Sequence, residues 1–216
     1  MAKENDKALL KSKAFENLRY RIITQELPPG EILKEKELTA QYNIGRTPLR
    51  EIFIELQRQG LIRMVPRAGT WVAPLDLNFV KQIAEVRLPL ERLAGELATE
   101  RASAAQKKML EQVLKKAEAE HARDNADLQV LIKYESDFHH GIYTATQNLK
   151  LEELLIEFQS ICSRLWHSVF FTKAQLKRMF QDHQGIFKTL QQQQGKMCGE
   201  LLSKHTQAYF KRINGL

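Results

Sequence analysis

Between Glu35 and Gly60 the chain reads as two helices separated by a break at Asn43-Ile44-Gly45. Leu38 and Tyr42 stand four apart on the first. Leu49, Phe53 and Leu56 give the second an apolar stripe at helical period. Pro48 fits only the opening turn of a helix, where backbone N–H groups lack intrahelical partners. The second helix therefore begins near Gly45–Arg46 and stops at Gly60. A short helix, a glycine-containing turn and a second helix form a helix-turn-helix. Arg46, Thr47 and Arg50 lie in the opening turn of the second helix, off its apolar face. That end of such a helix reaches base edges in the DNA major groove.

On the N-terminal side, residues 1–7 are polar and expected to lie outside regular structure. A helix is expected from about Ala8 to Gln25, ended by Leu27-Pro-Pro-Gly30 because neither proline continues the hydrogen-bond ladder. On the C-terminal side, Leu61–Val65 and Thr70–Ala73 are short β-runs around Pro66-Arg-Ala-Gly69, a two-stranded wing. Lys36 in the first helix, Arg67 at the wing tip and the Gly69-Thr70 backbone are candidates for phosphate or minor-groove contacts. The formal charge of +7 permits a nucleic-acid partner without requiring one. No apolar run reaches the roughly 20 residues of a membrane span. The polar start and two widely separated cysteines, Cys162 and Cys198, point to a cytoplasmic protein with reduced thiols and no membrane partner.

After a linker at 75–78 the β signal ends. Six helices are expected: Phe79–Arg101, Ser103–Arg123, Asp127–Thr146, Leu149–Phe170, Lys173–Gln193 and Lys196–Ile213. Short breaks between long helices imply an antiparallel bundle, so the fold class is mainly α. The domain expectation is 1–74 winged helix-turn-helix, 75–78 linker and 79–216 helical domain. Glu135 and His139 are four apart and share one helix face. His183 and His205 are equidistant from Gln194, the expected turn between two helices, and so stand at one level of a hairpin. Together these four residues make a three-nitrogen, one-oxygen set suited to zinc, nickel or another late first-row ion. Each is also compatible with ordinary polar packing. His140 points about 100° away from His139 and is not expected to ligate.

Three blocks of the N-terminal part carry a resemblance. Ala14-Phe15…Leu18 with Leu27-Pro-Pro-Gly30, Gly45-Arg-Thr-Pro-Leu-Arg-Glu51 and Gly60-Leu-Ile62…Pro66-Arg-Ala-Gly-Thr70 resemble the winged helix-turn-helix of GntR-family transcription regulators. That family usually carries Ser where this chain has Gly45, a position where glycine is still a passable N-cap. Arg87…Glu91…Ala94, Glu135-x-x-Phe138-His139, Asn148-x-x-Leu151 and Asp182-His183…His205 resemble the FCD effector-binding domain of the FadR branch. Six helices there resemble the VanR-type subgroup. The resemblance implies a DNA-binding regulator, a repressor in the commoner mode, acting as a homodimer on a two-fold symmetric operator. It also implies dimerisation through the start of the helical domain and a metal held by three His and an Asp. The histidines carry over to His139, His183 and His205, and Glu135 occupies the Asp position. Zinc is the first expectation, with nickel or manganese as alternatives. The metal would hold a small organic acid, with Arg87 and Arg164 as candidates for further anion contacts or for structural salt bridges. Two other readings stay open: a metal-dependent hydrolytic enzyme, and a protein-interaction module that binds no DNA.

Overall fold

Leu18 and Ile22, with Ala14 before them, recur every four residues on the first helix, and all three are buried. That face anchors α1 (Ala2–Ile23) against α2 (Glu35–Tyr42) and α3 (Arg46–Arg58). The computed structural model describes residues 2–168 and 172–213, with side chains described for residues 7–165 and 172–211. The first helix begins at Ala2, earlier than the expected Ala8; the added turn contains Lys3, Glu4 and Lys7, all good helix formers. Asn43 closes α2 in the left-handed region at φ 51° and ψ 44°, which asparagine tolerates better than most residues. Gly45 then caps α3 in extended conformation, with no side-chain bond.

Strands β1 (Ile62–Val65) and β2 (Gly69–Val72) pair antiparallel in the register Ile62 with Val72 through Val65 with Gly69. Ile32 bridges to Trp71 as a third, isolated pairing. Pro66 opens the connecting turn, and Arg67 follows with a φ of 64°.

Six helices follow among the described residues: α4 (Leu77–Arg101), α5 (Ala104–His121), α6 (Leu128–Ala145), α7 (Leu149–Ser168), α8 (Lys173–Gln191) and α9 (Gly195–Ile213). Ser103 with Gln106, and Thr172 with Gln175, form capping boxes that start α5 and α8. Asp127 caps α6. The expected end of α7 at Phe170 lies outside the described residues. Backbone contacts divide the chain into two units, Met1–Leu77 with Glu157–Phe170, and Asn78–Ile156 with Phe171–Leu216. In this division the part of α7 from Glu157 onward counts with the first unit. Within the first unit, Arg19 bonds Ser160, and the Gln25 side chain donates to the Arg164 carbonyl at 2.7 Å.

In the second unit α9 meets α4 with almost no space between backbones. A Cβ on Gly199 would lie 2.3 Å from the Arg92 carbonyl oxygen, and one on Gly95 would lie 2.6 Å from the Gly199 Cα. Ser203 Oγ donates to the Leu88 carbonyl at 2.9 Å one turn further on. Gly199→Ala is expected to destabilise by about 1–3 kcal/mol or more through backbone overpacking. Gly185→Ala on α8 meets nothing within 4 Å and is expected to gain about 0.5–1 kcal/mol from helix propensity. Thermal melts of the two variants should therefore move in opposite directions.

Candidate metal centre and nucleic-acid interface

In the first unit, Arg46, Thr47 and Arg50 are exposed on the opening turns of α3, while Leu49, Ile52, Phe53 and Leu56 are buried beneath them. Arg50 Nε stands 3.7 Å from Glu35 Oε1, with the arginine side chain 65% exposed. An exposed pair of this kind is worth little and gives way readily to a stronger partner. Lys36, Arg67 and Gly69 are exposed as well. Thr70 is different: it is buried, and its carbonyl accepts the Leu33 N–H at 2.8 Å. Arg67 and Gly69 are thus the exposed residues of the wing tip among those expected there, and Thr70 lies beneath them. Arg67 holds a left-handed conformation that costs a non-glycine residue roughly 1–2 kcal/mol. A charged residue at such a position is the kind of strain found at contact sites.

The second unit brings the four expected ligands together. One ligand atom from each of Glu135, His139, His183 and His205 lies within 4.8 Å of all the others. His183 Nε2 is 3.1 Å from His205 Nε2, His139 Nε2 is 3.3 Å from Glu135 Oε1, and His205 Nε2 is 3.8 Å from that same oxygen. Donors bound to one ion at about 2.0–2.2 Å stand roughly 3–3.5 Å apart, so the set fits a divalent first-row metal. The methylene that distinguishes Glu135 from an aspartate does not keep its oxygen out of the group. Gln193 takes a φ of 60° just before α9 begins at Gly195. This turn levels His183 with His205, as their equal distance from Gln194 requires. His140 stays outside the group.

The outer nitrogens are held by residues that sequence reasoning did not assign. Tyr143 Oη donates to Glu91 Oε1 at 2.6 Å, and Arg87 Nε donates to the same carboxylate oxygen at 2.8 Å. A hydroxyl has one proton, so toward His139 Nδ1, 3.2 Å away, Tyr143 Oη acts as acceptor. His139 Nδ1 therefore donates outward, and the ring is held with Nε2 facing Glu135. His205 Nδ1 faces the Asp182 carboxylate at 3.2 Å, which likewise leaves Nε2 on the inner side. Such outer partners orient metal-binding imidazoles. The signal was present in the sequence as Tyr143 one helical turn after His139, and Asp182 beside His183.

Burial, together with the Glu91 carboxylate, raises the Tyr143 hydroxyl well above its usual pKa, so it remains a donor. Burial pushes the Glu135 carboxyl upward, but bonds from His139 and His205 outweigh it and hold the group well below the usual carboxylate range. His183 is lowered by burial and by the neighbouring imidazoles. In His205 burial is overcome by Asp182 and Glu135, which raise it to about 9.

The two arginines expected at an anion have other uses. Arg87 is buried and occupied by Glu91 and Tyr143. Arg164 falls in the first unit, where its guanidinium donates to the Ala73 carbonyl. Arg87 therefore balances a buried carboxylate, and Arg164 ties α7 to the end of the wing. Tyr143→Phe removes the acceptor on His139 Nδ1 while keeping the ring. It is expected to weaken metal affinity about 10–100-fold with little loss of fold, as measured by competition with a chelating dye and by circular dichroism.

Residues 10–72 match the family described as bacterial regulatory proteins, gntR family, and residues 82–208 match the FCD domain. The chain belongs to the GntR family. It is a DNA-binding transcriptional regulator of the GntR type with an FCD domain, and the family is one of regulators, not enzymes. The hydrolase reading is thereby set aside, as is that of a module without DNA affinity. Similar curated proteins include the HTH-type transcriptional regulator YdhC of Bacillus subtilis, 24% identical over 91% of this chain and 85% of its own. The Nta operon transcriptional regulator of Aminobacter aminovorans is 26% identical over 88% of each. The HTH-type transcriptional repressor RspR of Escherichia coli is 26% identical over 87% of this chain and 84% of its own. Among solved structures, Escherichia coli McbR/YncC shares the fold with a TM-score of 0.78 at 20% identity, covering 95% of this chain and 97% of its own.

Proposed function

We propose that this GntR-type regulator is a cytoplasmic repressor that binds a two-fold symmetric operator as a homodimer. Its helical unit holds one divalent ion, zinc foremost with nickel or manganese as alternatives, through Glu135, His139, His183 and His205. A small organic acid would be held at this centre and would lower operator affinity. The observation carrying this reading is the convergence of three inward imidazole nitrogens and one carboxylate oxygen on a single point. The bound ion would supply positive charge for the acid's carboxylate, and Tyr143, Glu91 and Asp182 keep the ligand nitrogens aimed. The name of the relative RspR, a transcriptional repressor, supports the direction of control.

The dimer reading rests on α4. Phe79, Val86 and Leu93 recur at seven-residue spacing and are 48%, 53% and 39% exposed. That spacing keeps them on one face, an apolar stripe of the kind that seeks a partner helix. One winged helix reads only a half-site, so pairing also brings two heads to a symmetric operator. Val86→Asp with Leu93→Asp should yield a monomer by light scattering at micromolar concentration, with loss of operator binding in gel shifts. A double variant that remains dimeric would overturn the assignment of this face.

A further inference from the structure

We infer that Ile54 is a base-reading residue, meeting the C5 methyl group of a thymine in each half-site of the operator. This rests on the reading of α3 as the helix that enters the major groove, and it adds an apolar contact to the arginine contacts. Ile54 is 61% exposed. Among the described residues of α3, every other exposed position carries a polar or charged side chain. A single isoleucine on a protein surface is ordinary; its place on this helix is not. It follows Thr47 by seven residues and Arg50 by four, so it stands within about 20° of the first and about 40° of the second around the helix axis. All three side chains are exposed on that face. Isoleucine is also a weaker helix former than leucine, lysine or glutamate. At an exposed helical position it contributes favourably only when something covers it.

Continuity with the arginine face names duplex DNA as the cover. The two acidic side chains of α3 are each paired with a cation, Glu51 with Lys11 and Glu55 with Arg58, so neither sets an uncompensated negative charge beside a phosphate. In the major groove thymine presents one acceptor and one methyl group, and an apolar side chain recognises the methyl. Against guanine, adenine or cytosine, isoleucine would cover a polar edge without bonding it, which is unfavourable. Four residues of helix advance about 6 Å, or about two base pairs at 3.4 Å each. The thymine thus lies about two pairs from the base that Arg50 reads. Arg46 and Arg50 fix the register of the helix on the duplex, and the methyl contact forms only within that register.

Uracil in place of thymine tests this directly, because it removes the C5 methyl and leaves the hydrogen-bonding edge intact. The probe is a symmetric duplex selected from a random pool by the full-length wild-type protein. Each thymine is replaced by uracil in turn, in both half-sites together, and affinity is measured by fluorescence anisotropy. One replacement should weaken wild type about 15-fold, on a scale of about fourfold for each buried methyl. Ile54→Ala should bind the thymine and uracil duplexes alike, to within about twofold. Ile54→Val retains a branched aliphatic end and should retain the uracil effect, which separates a lost contact from a folding defect. A scan in which no uracil weakens wild type, or one whose effect persists in Ile54→Ala, would overturn the inference. So would a change of molar mass in Ile54→Ala by light scattering without DNA, which would place Ile54 in a protein interface. If Arg46→Ala/Arg50→Ala loses recognition while these results fail, α3 still reads the operator without Ile54. If that double variant keeps full affinity, the major-groove reading of α3 fails as well.

Discussion

Arg46→Ala combined with Arg50→Ala should abolish operator recognition while leaving the fold intact. The two residues occupy the first and fifth positions of α3, one turn apart, with their side chains exposed. A bidentate arginine–guanine pair contributes about 1–3 kcal/mol of discrimination. Losing two in each half-site costs about 2–6 kcal/mol per head on that scale, a factor of roughly 30 to 10⁴. Removing them costs the protein little, because the cation–carboxylate pair of Arg50 with Glu35 is a surface interaction. Fluorescence anisotropy with operator and scrambled duplexes separates the effects. The double variant should bind both alike. Lys36→Ala should instead weaken both together and reduce the salt slope by about 0.9 for each phosphate that is no longer neutralised. Full operator affinity in the double variant would show that α3 reads no bases.

Metal addition should raise the melting temperature of ion-free wild type and leave His183→Ala/His205→Ala unmoved. The site is divided among α6, α8 and α9, so it does not exist in the unfolded chain. Binding therefore adds directly to stability, about 2.7 kcal/mol at an ion concentration one hundred times Kd. For a chain of this length that corresponds to a rise of about 5–10 °C. A chelator should reverse the rise in wild type alone. Glu135→Ala should retain more affinity than either single histidine variant, since three inward nitrogens remain. Calorimetric melts with and without zinc, together with elemental analysis, check both statements. Ion retained by the double variant would place the centre on other residues.

The recognition segment is legible in the sequence because turn chemistry and helical period agree there. Asn43 is a residue that accepts the left-handed cap, and Gly45 and Pro48 start the next helix. The metal set is legible for a related reason: a four-residue step on one helix, and two residues equidistant from a turn, are geometric statements even before coordinates exist. Other expectations fail where a residue's use depends on a partner far away in sequence. Arg164 looks available to an anion, yet it serves the Ala73 carbonyl 91 positions earlier. Thr70 looks exposed in the wing, yet it is buried and its carbonyl accepts from Leu33. Neither partner is marked by any local pattern.

Sequence alone determined that His139 and Glu135 share a face, that His183 and His205 share a level, and that Arg46 and Arg50 open the second helix of the helix-turn-helix. These follow from the helical repeat and from residues that break it. Tertiary structure decided that all three histidines turn Nε2 inward, because ring orientation depends on what meets the opposite nitrogen. Glu91 and Tyr143 act on His139, and Asp182 acts on His205. It also decided how closely α9 approaches α4, through Gly95 and Gly199. A helix's period gives the direction of each side chain about its own axis, but packing selects the neighbouring helix and the distance at which the two meet.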